Sequence, residues 1–448
     1  MFAPRTTPWP LVALFTAGYL PPYLLPTTVG RIDTSLPLST TQAGAVGSAL
    51  LLSSATAGFL LASRVQQLGA RTLARFGLAL AVLGYGAAAC TTAVPAVVAG
   101  AVVGGFGSGT ASTVAAGRIA AEHQPHRAST AGLLSVSALA GAVYLTIPHF
   151  GRSHGLPLAA IALTALAVWP LTGRLPGAAA TSAAGPGTST APLPHRRSGL
   201  ALAATVLLWS LAQNSLWGVS SRIGLTQAKL GDTALGAVLA AALCAGLVGV
   251  LAAGALGPRL GRAMPIGGGT ALIAVCIALT ASATAPVTFA TGQIAWNTLY
   301  PVVLSYLIGL AASLDPRGRW AVLVGSASSL GTAAGPLTGT TLAAHAGYAG
   351  MGLVLGAGLL LVAAPMTAVA LHTGGRPLLP GAIRRRGGTP AALVAAATGT
   401  PSGAVPEVGA VEQPVVEIDV EAPAVAVRGA YDTAGPRQAA AAPGSGTG

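Results

Sequence analysis

Gln293, Trp296, Asn297 and Tyr300 recur at i, i+3, i+4 and i+7 within an apolar stretch, the spacing that brings side chains to one face of a helix. A second stretch carries Trp209, Gln213 and Trp217 at i, i+4 and i+8, with Asn214 beside them. A third carries Thr16, Tyr19 and Tyr23 at i, i+3 and i+7, and a fourth offers the small hydroxyls Ser108, Ser112 and Thr113. Such amides and rings break no bonds by themselves. They can stack on, and hydrogen-bond to, a neutral or weakly polar organic molecule. They can equally serve as glue between helices or, for Trp209, Trp217 and Tyr23, as an aromatic belt at a membrane interface.

The groups that reaction chemistry needs are missing from the sequence. It contains no H-E-x-x-H, no acidic pair in an apolar stretch and no G-x-x-x-x-G-K-[ST] loop, so neither metal-assisted hydrolysis nor nucleotide-driven pumping is indicated. We therefore expect no catalytic residues, no metal, no cofactor and no enzyme activity. Cys90, Cys244 and Cys276 lie in apolar stretches without C-x-x-C spacing and are expected to be buried packing residues. Six of the ten acidic residues fall after position 400, and the others (Asp33, Glu122, Asp232 and Asp315) sit between apolar runs. Asp33, near Arg31, is the candidate for proton coupling, with His149 and His345 behind it because imidazole titrates near neutral pH.

These residues need elements to hold them, and composition says which. The chain is 53% hydrophobic and 7% charged with a mean hydropathy of +0.70, whereas soluble domains carry about 25% charged residues. Apolar runs long enough to cross a hydrocarbon core as helices recur twelve times. They cover 10–30, 43–63, 74–92, 95–116, 129–149, 155–173, 199–220, 233–254, 264–283, 286–311, 320–342 and 350–371. The prolines of LPPYLLP either kink span one or make it discontinuous, freeing carbonyls that a water-filled path can tolerate. A Pro/Gly/Ser/Thr-rich linker, 174–198, follows span six, and the stretch 373–448 reads as a disordered tail. Of the 23 basic residues, all but Arg31, Arg152, Arg222 and Lys229 then fall on one side, which places both termini in the cytosol. The net charge of +13 is accounted for by this topology and calls for no nucleic acid. A single lysine among 23 basic residues, with abundant Ala and Gly, suggests a GC-rich bacterial genome and hence the cell membrane.

One short loop occurs twice. ASRVQQLGAR, 62–71, joins spans two and three; GALGPRLGRA, 254–263, joins spans eight and nine. The pattern resembles the G-x-x-x-D-R-x-G-R-R loop of the major facilitator superfamily, matched at Gly254, Arg259, Gly261 and Arg262 and, in the first copy, at Gly69 and Arg71. Gln66 and Pro258 replace the family's acid. Physically, the glycines permit a tight turn and the arginines are expected to anchor it at lipid headgroups. GTAAGPLTG, 331–339, resembles an element of the family's helix eleven. The resemblance implies an all-α polytopic membrane protein, with twelve transmembrane helices in two six-helix pseudo-repeat halves, 1–173 and 199–372. It also implies a cavity lined by helices one, four, seven and ten, and alternating access. Thr16, Tyr19, Tyr23, Gln213, Asn214, Trp217, Gln293, Trp296, Asn297 and Tyr300 are thus the expected substrate contacts. The expected partners are a small molecule, the bilayer and protons, with the protein a monomer. Export in exchange for protons is the expected function, ahead of uniport or import of a neutral metabolite, or a sensor or scaffold role.

Overall fold

A computed structural model describes residues 9–61, 64–122, 125–175, 193–256, 261–315 and 318–374. Helices dominate, and among the described residues ten helical runs are long and apolar enough to cross a membrane. The last of these, Arg319–Gly374, holds two spans, because Gly347 leaves helical geometry at φ 69° and ψ 173°. Span one misses the count because it is broken into Trp9–Tyr23 and Leu25–Ser35. Twelve spans result. The others are Thr40–Leu61, Ala70–Cys90, Val94–Ala120, Pro125–Thr146, Gly155–Val168, Arg196–Arg222, Asp232–Leu256, Ala263–Ala281 and Pro286–Leu314. Span one runs on to Ser35 and span seven begins at Arg196, so both exceed their apolar cores. The tail after 374 and most of the linker lie outside the described residues.

Local chemistry sets the ends. Span two opens with a capping box, in which the Ser39 N–H donates to Gln42 Oε1 (2.8 Å) and the Gln42 N–H to Ser39 Oγ (3.2 Å), satisfying two donors that the first turn leaves free. Pro95 and Pro286 stand in the first turns of spans four and ten, where a missing N–H costs nothing. Gly69 and Gly261, the matched glycines of the repeated loop, both have positive φ (84° and 66°), a conformation that costs glycine little. Arg259 lies outside the described residues. Gly254 is a helical residue of span eight rather than part of the turn. The arginines also bond within the protein: Arg71 donates from Nε and Nη2 to the Leu175 carbonyl (3.0 and 2.7 Å), and Arg262 Nη1 lies 2.6 Å from Ser313 Oγ. Each thereby clamps a neighbouring span.

The packing repeats. Span three packs on four and nine on ten, two on four and eight on ten, three on six and nine on the run holding twelve, one on five and seven on the run holding eleven. Between the bundles, two meets the run holding eleven and five meets eight, a pair of contacts that exchange when each span is advanced by six. The two six-span halves are therefore related by a pseudo-two-fold. Gly44 and Gly236 sit at these two contacts, separated by the same 192 positions as Gly69 and Gly261. A Cβ on Gly44 would overlap Thr340 and the Pro336 carbonyl; one on Gly236 would overlap the Tyr144 carbonyl. Spans cross this closely only where a side chain is absent.

The cysteines depart from expectation too. Cys90 and Cys244 are exposed on the protein surface and Cys276 is half-buried, all free. In a lipid-facing protein a small apolar thiol has no need of the interior.

A candidate substrate cavity between the halves

Span one breaks at Leu24, and the break follows from Pro26. In an unbroken helix the Pro22 carbonyl would accept from residue 26, which has no N–H to give. Trp217 Nε1, from span seven, donates to that carbonyl at 3.0 Å, and the Tyr144 hydroxyl donates to the Tyr23 carbonyl at 2.6 Å. The freed backbone thus binds one side chain from its own half and one from the other. Span one is interrupted at a single residue, with helical bonds still running from the Leu24 N–H to Leu20 and from the Thr28 N–H to Leu24, and it joins the two halves there.

Beside this junction lies a cavity of about 120 Å³. Its amide and aromatic lining comprises Tyr23, Gln213, Asn214 and Trp217, with Trp296, Asn297 and Tyr300 from span ten. These are seven of the ten residues named from the stripes. Trp217 and Trp296 meet at 5.9 Å between ring centroids with planes 59° apart, while Tyr300 stacks on Trp209 at 5.1 Å. Trp296 Nε1 donates to Gln213 Oε1. Asn214 Nδ2 donates to the Ser210 carbonyl (2.9 Å) and Thr332 Oγ1 (3.1 Å), and Asn297 Nδ2 to the Gln293 carbonyl (2.9 Å). Among the described residues, none lining the cavity is an Asp, Glu, Lys, Arg or His.

Three of the ten lie elsewhere. Thr16 Oγ1 is 2.9 Å from the Val12 carbonyl and 2.8 Å from Ser135 Oγ, binding span one to span five. Tyr19 packs against Phe15 at 4.2 Å and borders, with Gly18 and Ser112, an adjoining gap of about 10 Å³ that shares Pro22 and Thr332 with the cavity. Gln293 is fully buried, with Ser220 Oγ 3.5 Å from its Oε1. Span four does not line the cavity either. Its glycines draw it against spans two and three, Gly18 of span one lies against its Ser112, and Thr113 and Ser112 donate to the Gly109 carbonyl of their own helix. The space it gives up is lined by Leu133 and Ser137 of span five, Leu243, Gly246, Leu247 and Val250 of span eight, and Thr332 of span eleven. Small residues at 137, 246 and 332 were the available signal, and an Ala/Gly-rich sequence hides it.

Toward the Asp33 end, charge ties the halves together. Asp33 pairs with Arg222 of span seven, not with Arg31, and its side chain is only 2% exposed. Arg222 Nη1 also donates to Thr40 Oγ1 (2.9 Å), and Arg152 Nη2 pairs with Asp232 (2.8 Å). Arg31 donates instead to the Gly151 carbonyl (2.5 Å). His345 Nδ1 lies 2.8 Å from the Thr341 carbonyl on an exposed helix end, and His149 is exposed as well.

Solved structures share this arrangement. The chain superposes on the human organic anion transporter MFSD10 (TETRAN) with a TM-score of 0.60 at 17% identity, covering 82% of this chain and 100% of that one. The fold is that of the major facilitator transporters. A POT-family transporter in complex with a thioalcohol-conjugated peptide gives 0.64 at 13%, covering 81% and 96%. The nucleoside transporter NupG gives 0.63 at 12%, covering 81% and 100%. By sequence the chain matches no family model and no curated protein. The likeness is one of major facilitator architecture, carried by helix packing and not by residue identity.

Proposed function

We propose that this protein is a secondary active transporter that moves a small organic molecule out across the cell membrane by alternating access, in exchange for protons. The observation that carries the reading is a cavity bounded by both halves of a pseudo-symmetric bundle, with cross-half ion pairs and glycine contacts clustered toward one end. Transport of an organic anion, a peptide and a nucleoside by proteins of this fold supports it. The arginine bias supports cytosolic termini and an outward-facing Asp33 end, so the described state is one closed to the outside.

Asp33 is the coupling group in this reading. Protonation would cancel the Asp33–Arg222 attraction and release span one from span seven, linking proton entry to outward opening. A second reading is favoured by the uncharged cavity: facilitated movement of a neutral metabolite, with the ion pair acting purely as a latch. Proteoliposomes with an imposed pH gradient separate the two. Coupled export predicts gradient-driven flux that Asp33→Asn abolishes while leaving exchange at equilibrium. Flux indifferent to the gradient establishes the second reading. A cysteine at position 297 that neither side can reach would overturn both.

A further inference from the structure

The cavity's hydrogen-bonding groups are already oriented, and their orientation defines what they can hold. Indole Nε1 is only a donor, so the atom of Gln213 facing Trp296 is Oε1. Gln213 Nε2 is then left buried without a partner, on a side chain from a residue 1% exposed that lines the cavity. Backbone carbonyls are only acceptors, so Nδ2 of Asn214 and of Asn297 face the Ser210 and Gln293 carbonyls. The two Oδ1 atoms are left over, and among the described residues neither receives a hydrogen bond. Unused amide N–H groups on Gln213 Nε2 and Asn297 Nδ2 and two unused amide oxygens are thus gathered around a space walled by indole and phenol rings.

We infer that the ligand is an uncharged, planar cyclic amide, a lactam, cyclic urea or nucleobase-type ring, whose N–H groups donate to Asn214 and Asn297 and whose carbonyl accepts from Gln213. The inference rests on reading this cavity as the substrate site. Charge excludes the alternatives. A carboxylate or zwitterion would enter a lining without an ionised partner among the described residues, and burying an uncompensated charge is far costlier than burying a satisfied amide. Size agrees: about 120 Å³ admits one ring, whereas drug-sized ligands take about 300–1,000 Å³. Rings stacked against Trp217, Trp296 or Tyr300 gain dispersion that a chain-like molecule of equal polarity would not.

Three probes sharing one ring test this: uracil, 1,3-dimethyluracil, in which both N–H donors are blocked, and orotate, which adds a carboxylate. Titration calorimetry on the purified full chain should show uracil binding at least about tenfold tighter than either relative, since an unmet buried amide costs about 1–3 kcal/mol. Asn297→Leu should weaken uracil by about tenfold or more and leave dimethyluracil unchanged, narrowing the preference between them to what the Asn214 contact supplies. Asn297→Ser, which keeps an acceptor, should restore part of it. Absence of uracil binding, equal binding of orotate, or a uracil preference undiminished by Asn297→Leu overturns the inference. Alkylation of a cysteine at position 297 reports separately on the carrier reading: if the cysteine is reachable in turn from each side while uracil fails to bind, only the ligand assignment falls.

Discussion

The two ends of the molecule spend their charges differently. At the Asp33 end, arginines reach across the halves: Arg222 to Asp33 and Thr40, Arg152 to Asp232. At the arginine-rich end, the described bonds stay within one half. Arg71 and Arg75 hold Leu175 and Thr172, Arg262 holds Ser313, and Arg319 pairs with Asp315 at 2.6 Å. Thr40 and Asp232, which receive the cross-half arginines, are the first residues of spans two and eight, equivalent positions in the repeat. The difference teaches that charge ties the two halves to each other at one end, while at the other the described bonds brace each half within itself.

That contrast can be broken at several points, all read through alkylation of a cysteine at position 297, added from the Asp33 side, with Cys90, Cys244 and Cys276 changed to serine. Gly44→Leu and Gly236→Leu should act most strongly. Their side chains collide partly with backbone carbonyls, overpacking costs about 1–3 kcal/mol or more, and alkylation should speed up about tenfold or beyond. An unchanged rate would mean that the glycine contacts do not hold the end shut.

Arg222→Ala comes next. It strands a buried carboxylate, a loss of about 3–5 kcal/mol when the site stays closed, so the closed state should be depleted. Adding Asp33→Asn should recover much of the closure; no recovery would argue against the ion pair as fastener. Trp217→Phe leaves the Pro22 carbonyl without its donor, at about 1–3 kcal/mol, and should loosen the junction of spans one and seven by less than the arginine change does. The smallest effect belongs to Arg152→Ala, whose guanidinium side chain is 86% exposed. An exposed pair contributes about 0–1 kcal/mol, so the rate should change by less than about fivefold and the difference should fade in high salt. Arg71→Ala sharpens the comparison from the other end: it should lower thermal stability without altering alkylation from the Asp33 side.

Much of the architecture was readable because the solvent enforces it. A backbone crossing hydrocarbon must satisfy its own hydrogen bonds in long apolar helices, so twelve runs and their polar stripes stand out. The Pro-rich segment of span one and the loop glycines were readable for a similarly local reason: a missing N–H and a positive φ are properties of one residue. Asp33 shows the limit. Arg31 is its neighbour in the chain, yet Arg222, far away in sequence, is its partner. Span four shows it again, since its hydroxyls looked fit for a cavity and its glycines instead drew it into packing.

The chain by itself determined that it spans a membrane repeatedly, that its halves echo one another, and which helix faces carry amides and rings. Hydropathy, periodicity and turn chemistry are short-range, and each can be read within a window of a few turns. Tertiary structure alone decided which stripes converge on one space, which amide atoms are left unpaired there, and which arginine crosses to which carboxylate. Those outcomes depend on distances between residues eighty or more positions apart, set by how closely glycine faces let the helices approach.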